Sequence, residues 1–184
     1  MEQKHPLDLF RYCPVCGSAD FVVNDFKSKR CGKCGFVFYM NPSASTVAVI
    51  INERGELLAV RRAKEPAKGT LDLPGGFSDM HESSEEGVRR EVQEETGLEV
   101  VSACFLFSIP NLYIYSGLEI PTLDMFYLCE VRATDGGQAA DDASELLWLP
   151  WDKIRPEEFG LTSIRQGVER LVGDQTVLHL RGKS

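Results

Sequence analysis

Three carboxylates crowd one face of a segment whose pattern predicts a helix. They are Glu91, Glu94 and Glu95. At about 100° per residue, their side chains project within one arc of roughly 100°. Like charges at this spacing destabilise a helix unless a cation lies among them, and oxygen ligands are those that Mg²⁺ or Mn²⁺ prefers. The cluster indicates a divalent metal site, with a solvated acidic helix face as the alternative from the helix alone.

The segment that carries these glutamates has recognisable start and end signals. Ser83 and Glu86 have the spacing of a capping box, and Gly97 is favourable just past a helix C-terminus, so we predict a helix between them. The sequence Pro74-Gly75-Gly76 ends a short strand and brings bare backbone near the helix. Gly87 lies on the glutamate face, and we expect its missing side chain to leave room for a metal and a phosphate. These features favour the metal site.

Two Cys-x2-Cys pairs stand near the N-terminus, separated by 14 residues. They are Cys13 with Cys16, and Cys31 with Cys34. This spacing, with a glycine after each pair, predicts a tetrahedral Zn²⁺ site that fastens a segment without a core of its own. Two disulfides are the alternative, but they suit a secreted protein, and the first residues lack the apolar stretch of a signal peptide. Residues 21–26 between the pairs are typical of a short hairpin.

The remaining cysteines and the basic residues of this segment receive structural interpretations. Cys104 and Cys129 fall in apolar, strand-like runs and are expected to be core thiols. The basic residues are expected to form a solvated loop rather than an RNA-binding surface. They are Lys27, Lys29, Arg30 and Lys33.

Nine positions between residues 76 and 98 match the motif G-x5-E-x7-R-E-U-x-E-E-x-G-U, where U is aliphatic. They are Gly76, Glu82, Arg90, Glu91, Val92, Glu94, Glu95, Gly97 and Leu98. This motif resembles the Nudix box of the Nudix hydrolase superfamily. The cysteine pairs, followed by Phe38-Tyr39 and Asn41-Pro42, resemble the zinc-ribbon NADH pyrophosphatase-like branch. The resemblance implies an α/β fold, a Nudix α/β/α sandwich with a mixed sheet, preceded by a small zinc ribbon with four cysteine ligands.

The resemblance also implies a metal-dependent hydrolase. Glu91, Glu94 and Glu95 would ligate Mg²⁺ or Mn²⁺ together with the carbonyl of Gly75, and the metal would activate water and neutralise developing charge. The expected reaction is cleavage of the pyrophosphate in a nucleoside diphosphate linked to another group, such as NADH or ADP-ribose. A nucleoside triphosphate pyrophosphohydrolase, an RNA-associated module and a nucleotide-binding regulator are the alternatives.

Further roles follow from the same resemblance. Glu82 and Arg90 would hold the loop and the helix together and orient the glutamates. A general base often comes from a later loop, where Asp142 and Glu145 are the candidates. Trp148, which follows them, is expected to be a core or pocket-wall residue.

Composition and charge limit the remaining possibilities. The 184-residue chain is 43% hydrophobic and carries a net charge of −8, which argues against a general nucleic-acid or membrane surface. Residues 1–42 hold six Lys/Arg against four Asp/Glu, and residues 43–184 hold 14 against 24. We therefore expect a zinc ribbon over 1–42 and a Nudix domain over 43–184. A cytoplasmic protein is expected, with a homodimer left open.

Hydrophobic periodicity predicts the elements that position these residues. Strands are expected over 46–52, 57–62, 71–73, 98–108, 123–131 and 145–149, with helices over 83–96 and 163–172.

A stretch after the box bears on the substrate. The resembled branch carries S-Q-P-W-P-F-P-x-S there, and this chain has Ser108-Ile-Pro-Asn-Leu-Tyr-Ile-Tyr-Ser116. Ser108, Pro110 and Ser116 agree with that motif, whereas its Gln, its Trp and two of its prolines are missing. Tyr113 and Tyr115 are candidates for stacking on a nucleobase, and a half-buried strand with two amphipathic tyrosines is the alternative.

Overall fold

The computed structural model describes residues 5–115 and 117–173. These residues form two compact units. The first comprises residues 5–42 with 112–115 and 117–121, and the second comprises residues 43–111 with 122–173. Residues around 112–121 therefore group with the N-terminal segment. The assignment of 1–42 as a zinc ribbon and 43–184 as a hydrolase domain stays a prediction.

The first unit is built on a three-stranded antiparallel sheet in the order β1-β2-β3. Its strands are β1 (Phe21–Asp25), β2 (Ser28–Cys31) and β3 (Val37–Tyr39). The hairpin is longer than expected, since β1 pairs with β2 from Phe21↔Cys31 to Asp25↔Ser28. The unit also has a small core, contrary to the sequence-based expectation. That core consists of Phe21, Cys13 and Cys31, with Phe10, Phe36 and Phe38 packed against them.

The second unit contains two sheets, ordered β10-β5-β6 and β7-β4-β9-β8. Its strands are β4 (Ser43–Ile50), β5 (Glu56–Arg62), β6 (Leu71–Asp72), β7 (Gly75–Phe77), β8 (Val100–Tyr115), β9 (Leu118–Val131) and β10 (Ala143–Pro150). The end of β8 from residue 112 and the start of β9 up to residue 121 belong to the first unit. Its helices are α1 (Ser84–Thr96) and α2 (Thr162–Gly173). The second sheet is mixed, because β4 pairs parallel with β9 and antiparallel with β7. No described helix is both long and apolar enough to span a membrane.

Alternating side chains of β4 explain why helices cover both faces of the sheet. Val47 and Val49 belong to one buried cluster, which includes Val168 of α2. Ala48 and Ile50 belong to a second cluster, which includes Val88 and Val92 of α1. Successive strand residues point to opposite faces, so a continuous apolar strand needs a layer on each side. This arrangement confirms the expected α/β/α sandwich.

Most predicted elements are present, with differences at their ends. Residues 75–77, expected to lie beyond a strand end, form the short strand β7, which pairs with Val47, Thr46 and Ser45 of β4. The strands β8 and β9 extend well past the predicted 98–108 and 123–131. Their extensions reach residues 112–121, where the alternation of Tyr113, Ile114 and Tyr115 indicates a strand only as the alternative to a base-stacking role.

The two isolated cysteines have different environments. Cys129 of β9 is buried, which confirms the expected core thiol, and burial raises the pKa of its thiol to about 12. Cys104 is exposed, so the core prediction for it was wrong. The reason is topological, because β8 lies at the edge of its sheet. Trp148 is half-buried and packs against the cluster around Ala48, as expected of a core residue.

Candidate functional site

The helix α1 starts and stops at the residues that its sequence indicates. Oγ of Ser83 accepts a hydrogen bond from the Glu86 backbone N–H, and the Glu86 carboxylate accepts one from the Ser83 N–H. Gly97 ends the helix in the left-handed conformation, with a φ of 70°. The capping box and the terminal glycine are therefore both confirmed. They fix where α1 begins and ends.

The three glutamates of α1 differ in burial. Glu95 is 6% exposed, Glu91 is half-buried and Glu94 is exposed. Burial raises the pKa of Glu95 to about 8, and the negative charges of Asp72, Glu91 and Asp142 add to that effect. Burial also raises the pKa of Glu91. Carboxylates that are desolvated beside like charges need a cation to stay ionised, and this donor set fits a hard divalent metal.

Arg90 joins the glutamates to the loop that precedes the helix. Its Nε and Nη2 donate to the two carboxylate oxygens of Glu82 at 3.1 and 2.8 Å, and Nη2 also donates to the Phe77 carbonyl at 3.0 Å. Its Nη1 donates to Glu91 at 2.8 Å and to Glu94 at 2.9 Å. The Arg90 contact lowers the pKa of Glu82. One guanidinium thus fixes both the loop and two of the glutamates.

Three glycines make room for these contacts. A Cβ on Gly75 would lie 2.1 Å from the Thr46 carbonyl oxygen, and one on Gly76 would lie 2.6 Å from Oε1 of Glu91. A Cβ on Gly87 would lie 3.0 Å from Oε1 of Glu82. The Glu82 carboxylate therefore occupies the space beside Gly87, and not a metal and a phosphate as the sequence predicts.

Gly75 has a direct contact with the most buried glutamate. Its backbone N–H donates to Oε2 of Glu95 at 3.1 Å. The backbone of β7 therefore lies against the acidic end of α1, where the carbonyl of Gly75 was expected to supply a ligand.

The two general-base candidates have different neighbours. The loop before β10 is tied to the end of α1, because the N–H of Ala140 donates to the Glu95 carbonyl at 3.0 Å. Asp142 follows two residues later, and its charge is one of those that raise the pKa of Glu95. Glu145 instead accepts a hydrogen bond from Nε of Arg61 at 2.8 Å. The contacts favour Asp142 as the candidate nearer to the glutamates.

A buried ion pair beside the site was missed by sequence reasoning. Nη1 of Arg62 lies 2.5 Å from Oδ2 of Asp72, and its Nε donates to the Pro66 carbonyl at 2.7 Å. Burial raises the pKa of Asp72. An acid between Leu71 and Leu73 was the available signal, because a charged residue in a buried strand needs a partner.

The four paired cysteines are brought together in the first unit. Their sulfurs all lie within 4.8 Å of one another, and the Cys13–Cys34 and Cys16–Cys31 distances are both 3.6 Å. The sulfurs of a zinc tetrahedron with 2.3 Å bonds are about 3.8 Å apart. All six cysteines of the chain are free, which excludes the two disulfides considered from sequence. The residues fit a structural zinc ion.

The local backbone forms tight turns at this cluster and favours a thiolate at Cys31. Gly17 and Gly35 have φ values of 69° and 77°, and their N–H groups each donate to the backbone carbonyl of the first cysteine of their pair at 2.9 Å, which closes a tight turn. The N–H of Cys34 donates to Sγ of Cys31 at 3.5 Å and lowers the pKa of that thiol to about 7. Burial and the neighbouring thiols raise the pKa of Cys34 to about 12. The backbone therefore favours the metal-binding thiolate form at Cys31.

The basic residues of the first unit are not all solvated. Lys29 is buried, and its Nζ donates to the Phe10 carbonyl at 2.9 Å. The prediction that it belongs to a solvated loop was therefore wrong, because Nζ finds its acceptor 19 residues away in the chain.

The candidate stacking residues lie near the end of β8, within the first unit. Tyr113 is half-buried and Tyr115 is 62% exposed. Ser116 lies outside the described residues. Pro110 and Ser108 are exposed on the same strand.

Comparisons with known proteins agree with this geometry. The family model described as NUDIX domain matches residues 41–170. The NAD-capped RNA hydrolase NudC of Vibrio vulnificus is 26% identical over 183 residues, which cover 98% of this chain and 64% of that protein. The ADP-ribose pyrophosphatase of Methanocaldococcus jannaschii is 40% identical over 75 residues, which cover 40% of this chain and 44% of that protein. The chain spans about half to two thirds of the length of the Vibrio relatives it matches.

Solved structures share the fold. A NUDIX hydrolase from Nitrosomonas europaea superimposes with a TM-score of 0.71 at 19% identity, covering 90% of this chain and 92% of that chain. The MutT protein from Methanosarcina mazei has a TM-score of 0.59 at 26% identity, covering 79% of this chain and 100% of that chain.

Proposed function

Because the chain belongs to the NUDIX domain family, we propose that it hydrolyses the pyrophosphate bond of a nucleoside diphosphate linked to another group. The observation that carries this proposal is the buried carboxylate of Glu95, which accepts the Gly75 N–H and lies among other acids. A structural protein gains nothing from a desolvated acid cluster of this kind. A site that gathers divalent cations around a pyrophosphate requires one.

The residues of the site have three roles, which are metal binding, positioning of the loop and acceptance of a proton. Glu91, Glu94, Glu95 and the Gly75 carbonyl would hold Mg²⁺ or Mn²⁺, which would supply Lewis-acid polarisation and a more acidic water. Glu82 and Arg90 keep the loop against α1, so the carboxylates stay oriented. Asp142 accepts the proton of the attacking water, with Glu145 as the second candidate for that role.

Zinc has a separate and structural role in this proposal. Cys13, Cys16, Cys31 and Cys34 would hold one Zn²⁺ and leave no coordination position for substrate. The four cysteines would thereby fasten the two glycine turns to the small aromatic core around Phe21. We propose that this ribbon comprises residues 1–42.

A dinucleotide or a nucleotide conjugate is the substrate class that we favour. Relatives named NAD-capped RNA hydrolase and ADP-ribose pyrophosphatase support this choice, since both names describe a pyrophosphate that joins a nucleotide to another group. Tyr113 or Tyr115 stacks on the base, as expected of an aromatic side chain with an accessible face. The acidic composition disfavours a long nucleic acid, although the relatives' names require an RNA substrate to be tested directly.

A substrate panel tests the proposal. Purified protein would be incubated with NADH, ADP-ribose, an NAD-capped RNA and a deoxynucleoside triphosphate, each with Mg²⁺ and with Mn²⁺, and the products identified by mass spectrometry. We expect cleavage between the two phosphates of NADH or ADP-ribose. Release of pyrophosphate from the triphosphate alone would support the pyrophosphohydrolase alternative. Tight nucleotide binding without any turnover would support a regulator and contradict the enzyme.

A further inference from the structure

One lysine, Lys64, pairs with two consecutive aspartates in the loop before β10. Nζ of Lys64 forms ion pairs with Asp142 and, at 3.2 Å, with Asp141. We propose that Lys64 is a phosphate-binding residue of the active site, whose ammonium group exchanges these aspartates for a phosphate oxygen of the substrate. This inference rests on the proposed hydrolysis of a pyrophosphate.

Backbone hydrogen bonds connect the segment that carries Lys64 with the C-terminal end of α1. The N–H of Ala63 donates to the Asp142 carbonyl at 2.8 Å. The N–H of Ala140, on the same loop as Asp142, donates to the Glu95 carbonyl at 3.0 Å. Two hydrogen bonds and the short segment 140–142 therefore connect the backbone of the residue before Lys64 to the backbone of Glu95.

The arginines of the same region are already engaged. Arg61 binds Glu145 and donates to the Gly69 carbonyl at 3.0 Å, and Arg62 binds Asp72 and the Pro66 carbonyl. Arg90 binds Glu82 and the Phe77 carbonyl. Each of them is held by a carboxylate and a backbone oxygen together, so moving any one of them would break a structural link.

Lys64 is bound in a way that a substrate can replace. Its side chain is 59% exposed, and those of Asp141 and Asp142 are 57% and 45% exposed. Ion pairs between exposed groups contribute little to stability, because water and salt screen them. The flexible stem of a lysine lets the ammonium group move between partners without disturbing the backbone.

The acidic residues around Lys64 explain why the active site needs a cation of its own to bind a phosphate. Glu91, Glu95, Asp141 and Asp142 all carry potential negative charge near the place where an anionic pyrophosphate has to bind. The two aspartates also raise the pKa of Lys64, so its charge is retained at neutral pH. A cation supplied by the protein would offset the repulsion that the divalent metal does not cancel, and ammonium–phosphate hydrogen bonds are among the stronger ones in proteins.

The loop partner of Lys64 has an unusual backbone. Asp141 has a φ of 49°, in the left-handed region that non-glycine residues seldom adopt. Two consecutive carboxylates, those of Asp141 and Asp142, pair with this one lysine. Residues held in such conformations cluster at binding sites, which agrees with a functional role for this contact.

A binding experiment with a non-hydrolysable probe tests the proposal. Methylenediphosphonate would be titrated into the full-length, zinc-containing protein in excess Mg²⁺, and its affinity measured by calorimetry. We expect Lys64→Met to weaken binding by roughly 10- to 100-fold, the range for a lost charge-assisted hydrogen bond. Lys64→Arg should retain binding within a few fold. The matched control is Lys68→Met, because Lys68 is an exposed lysine of the same loop and forms no ion pair with a described residue.

Each outcome separates this inference from the proposed function. Equal affinities of the wild type and Lys64→Met would overturn it, as would an equal loss in Lys68→Met, which would indicate only a general charge effect. Failure of the wild type to bind the probe would also overturn it. Selective loss in Lys64→Met, in a protein that hydrolyses none of the nucleotides tested, would support the phosphate site while contradicting the proposed enzyme.

Discussion

The backbone N–H of Gly75 donates to Oε2 of Glu95 across 3.1 Å and so links the short strand β7 to the buried end of α1. The contact depends on a residue without a side chain, because Gly75 has a φ of 154° and lies against the Thr46 carbonyl. The loop and the metal-binding helix are therefore positioned by backbone geometry as well as by the ion pairs of Arg90.

Gly75→Ala should damage both stability and activity. Its Cβ would lie 2.1 Å from the Thr46 carbonyl oxygen, so β7 must move away from β4 and from Glu95. We expect a loss of about 2 kcal/mol or more in the free energy of unfolding, measured with urea, because steric strain adds to the conformational cost. Gly136→Ala is the control, since Gly136 has a φ of 89° but open space around its Cβ. Equal losses in both variants would show that the contact with Thr46 does not matter.

Glu95 should make the protein without divalent cations less stable at high pH. Its folded-state pKa of about 8 lies above the ordinary value of 4.5, so the folded state binds the proton more tightly than the unfolded state does. The resulting stabilisation is fully present below pH 4.5 and is lost as the pH rises through about 8.

Urea unfolding at several pH values, in buffer free of Mg²⁺ and Mn²⁺, measures this effect. The wild type should lose more stability between pH 5 and pH 8.5 than Glu95→Gln does, because the amide does not titrate. Parallel pH profiles for the two proteins would contradict the assignment of the raised pKa to Glu95.

Cys31→Ser should abolish zinc binding and unfold the N-terminal ribbon. Removing one of four thiolates leaves an incomplete tetrahedron, and small metal domains seldom stay folded without their ion. Elemental analysis should find one zinc per chain in the wild type and none in the variant, while circular dichroism should retain the helical signal of α1 and α2. Cys104→Ser, which changes an exposed cysteine of β8, should keep its zinc. A wild type without zinc would refute the site.

Loss of a base-stacking tyrosine should appear in KM. For Tyr113→Ala or Tyr115→Ala, we expect KM for the preferred nucleotide to rise by the equivalent of about 1–3 kcal/mol, with kcat less affected. Leu112→Ala is the control, because Leu112 is an exposed side chain of the same strand, at 61%. If both tyrosine variants process every nucleotide as the wild type does, β8 does not bind the base.

Local sequence signals predicted those parts of the structure that depend on neighbours in the chain. The capping box at Ser83 and the terminal Gly97 define α1, and the continuous apolar run of β4 indicates a strand that is buried on both faces. The paired cysteines are close in space for a similar reason, since each pair needs only one tight turn. The spacing of Glu91, Glu94 and Glu95 placed them on one helix.

The parts that were missed depend on contacts between distant segments. Lys29 is buried because the Phe10 carbonyl lies nearby, and Cys104 is exposed because β8 ends a sheet. The link between Lys64 and Asp142 joins residues 78 positions apart, so no window of sequence contains both. The sequence predicts that the missing side chain of Gly87 leaves space on the glutamate face of α1. It does not show that the Glu82 carboxylate fills that space, because this depends on how the preceding loop folds back over the helix.

The most direct test of the account is the product analysis of Glu95→Gln beside Glu85→Gln, with ADP-ribose and NADH as substrates and Mg²⁺ present. Glu95 is buried among acids, whereas Glu85 is exposed in the first turn of the same helix. The account predicts mononucleotide products from the wild type and from Glu85→Gln, and a fall in kcat on the order of 10³ or more in Glu95→Gln, as expected for the loss of a ligand to the main charge-stabilising ion. Mononucleotide release by Glu95→Gln at the wild-type rate would contradict it.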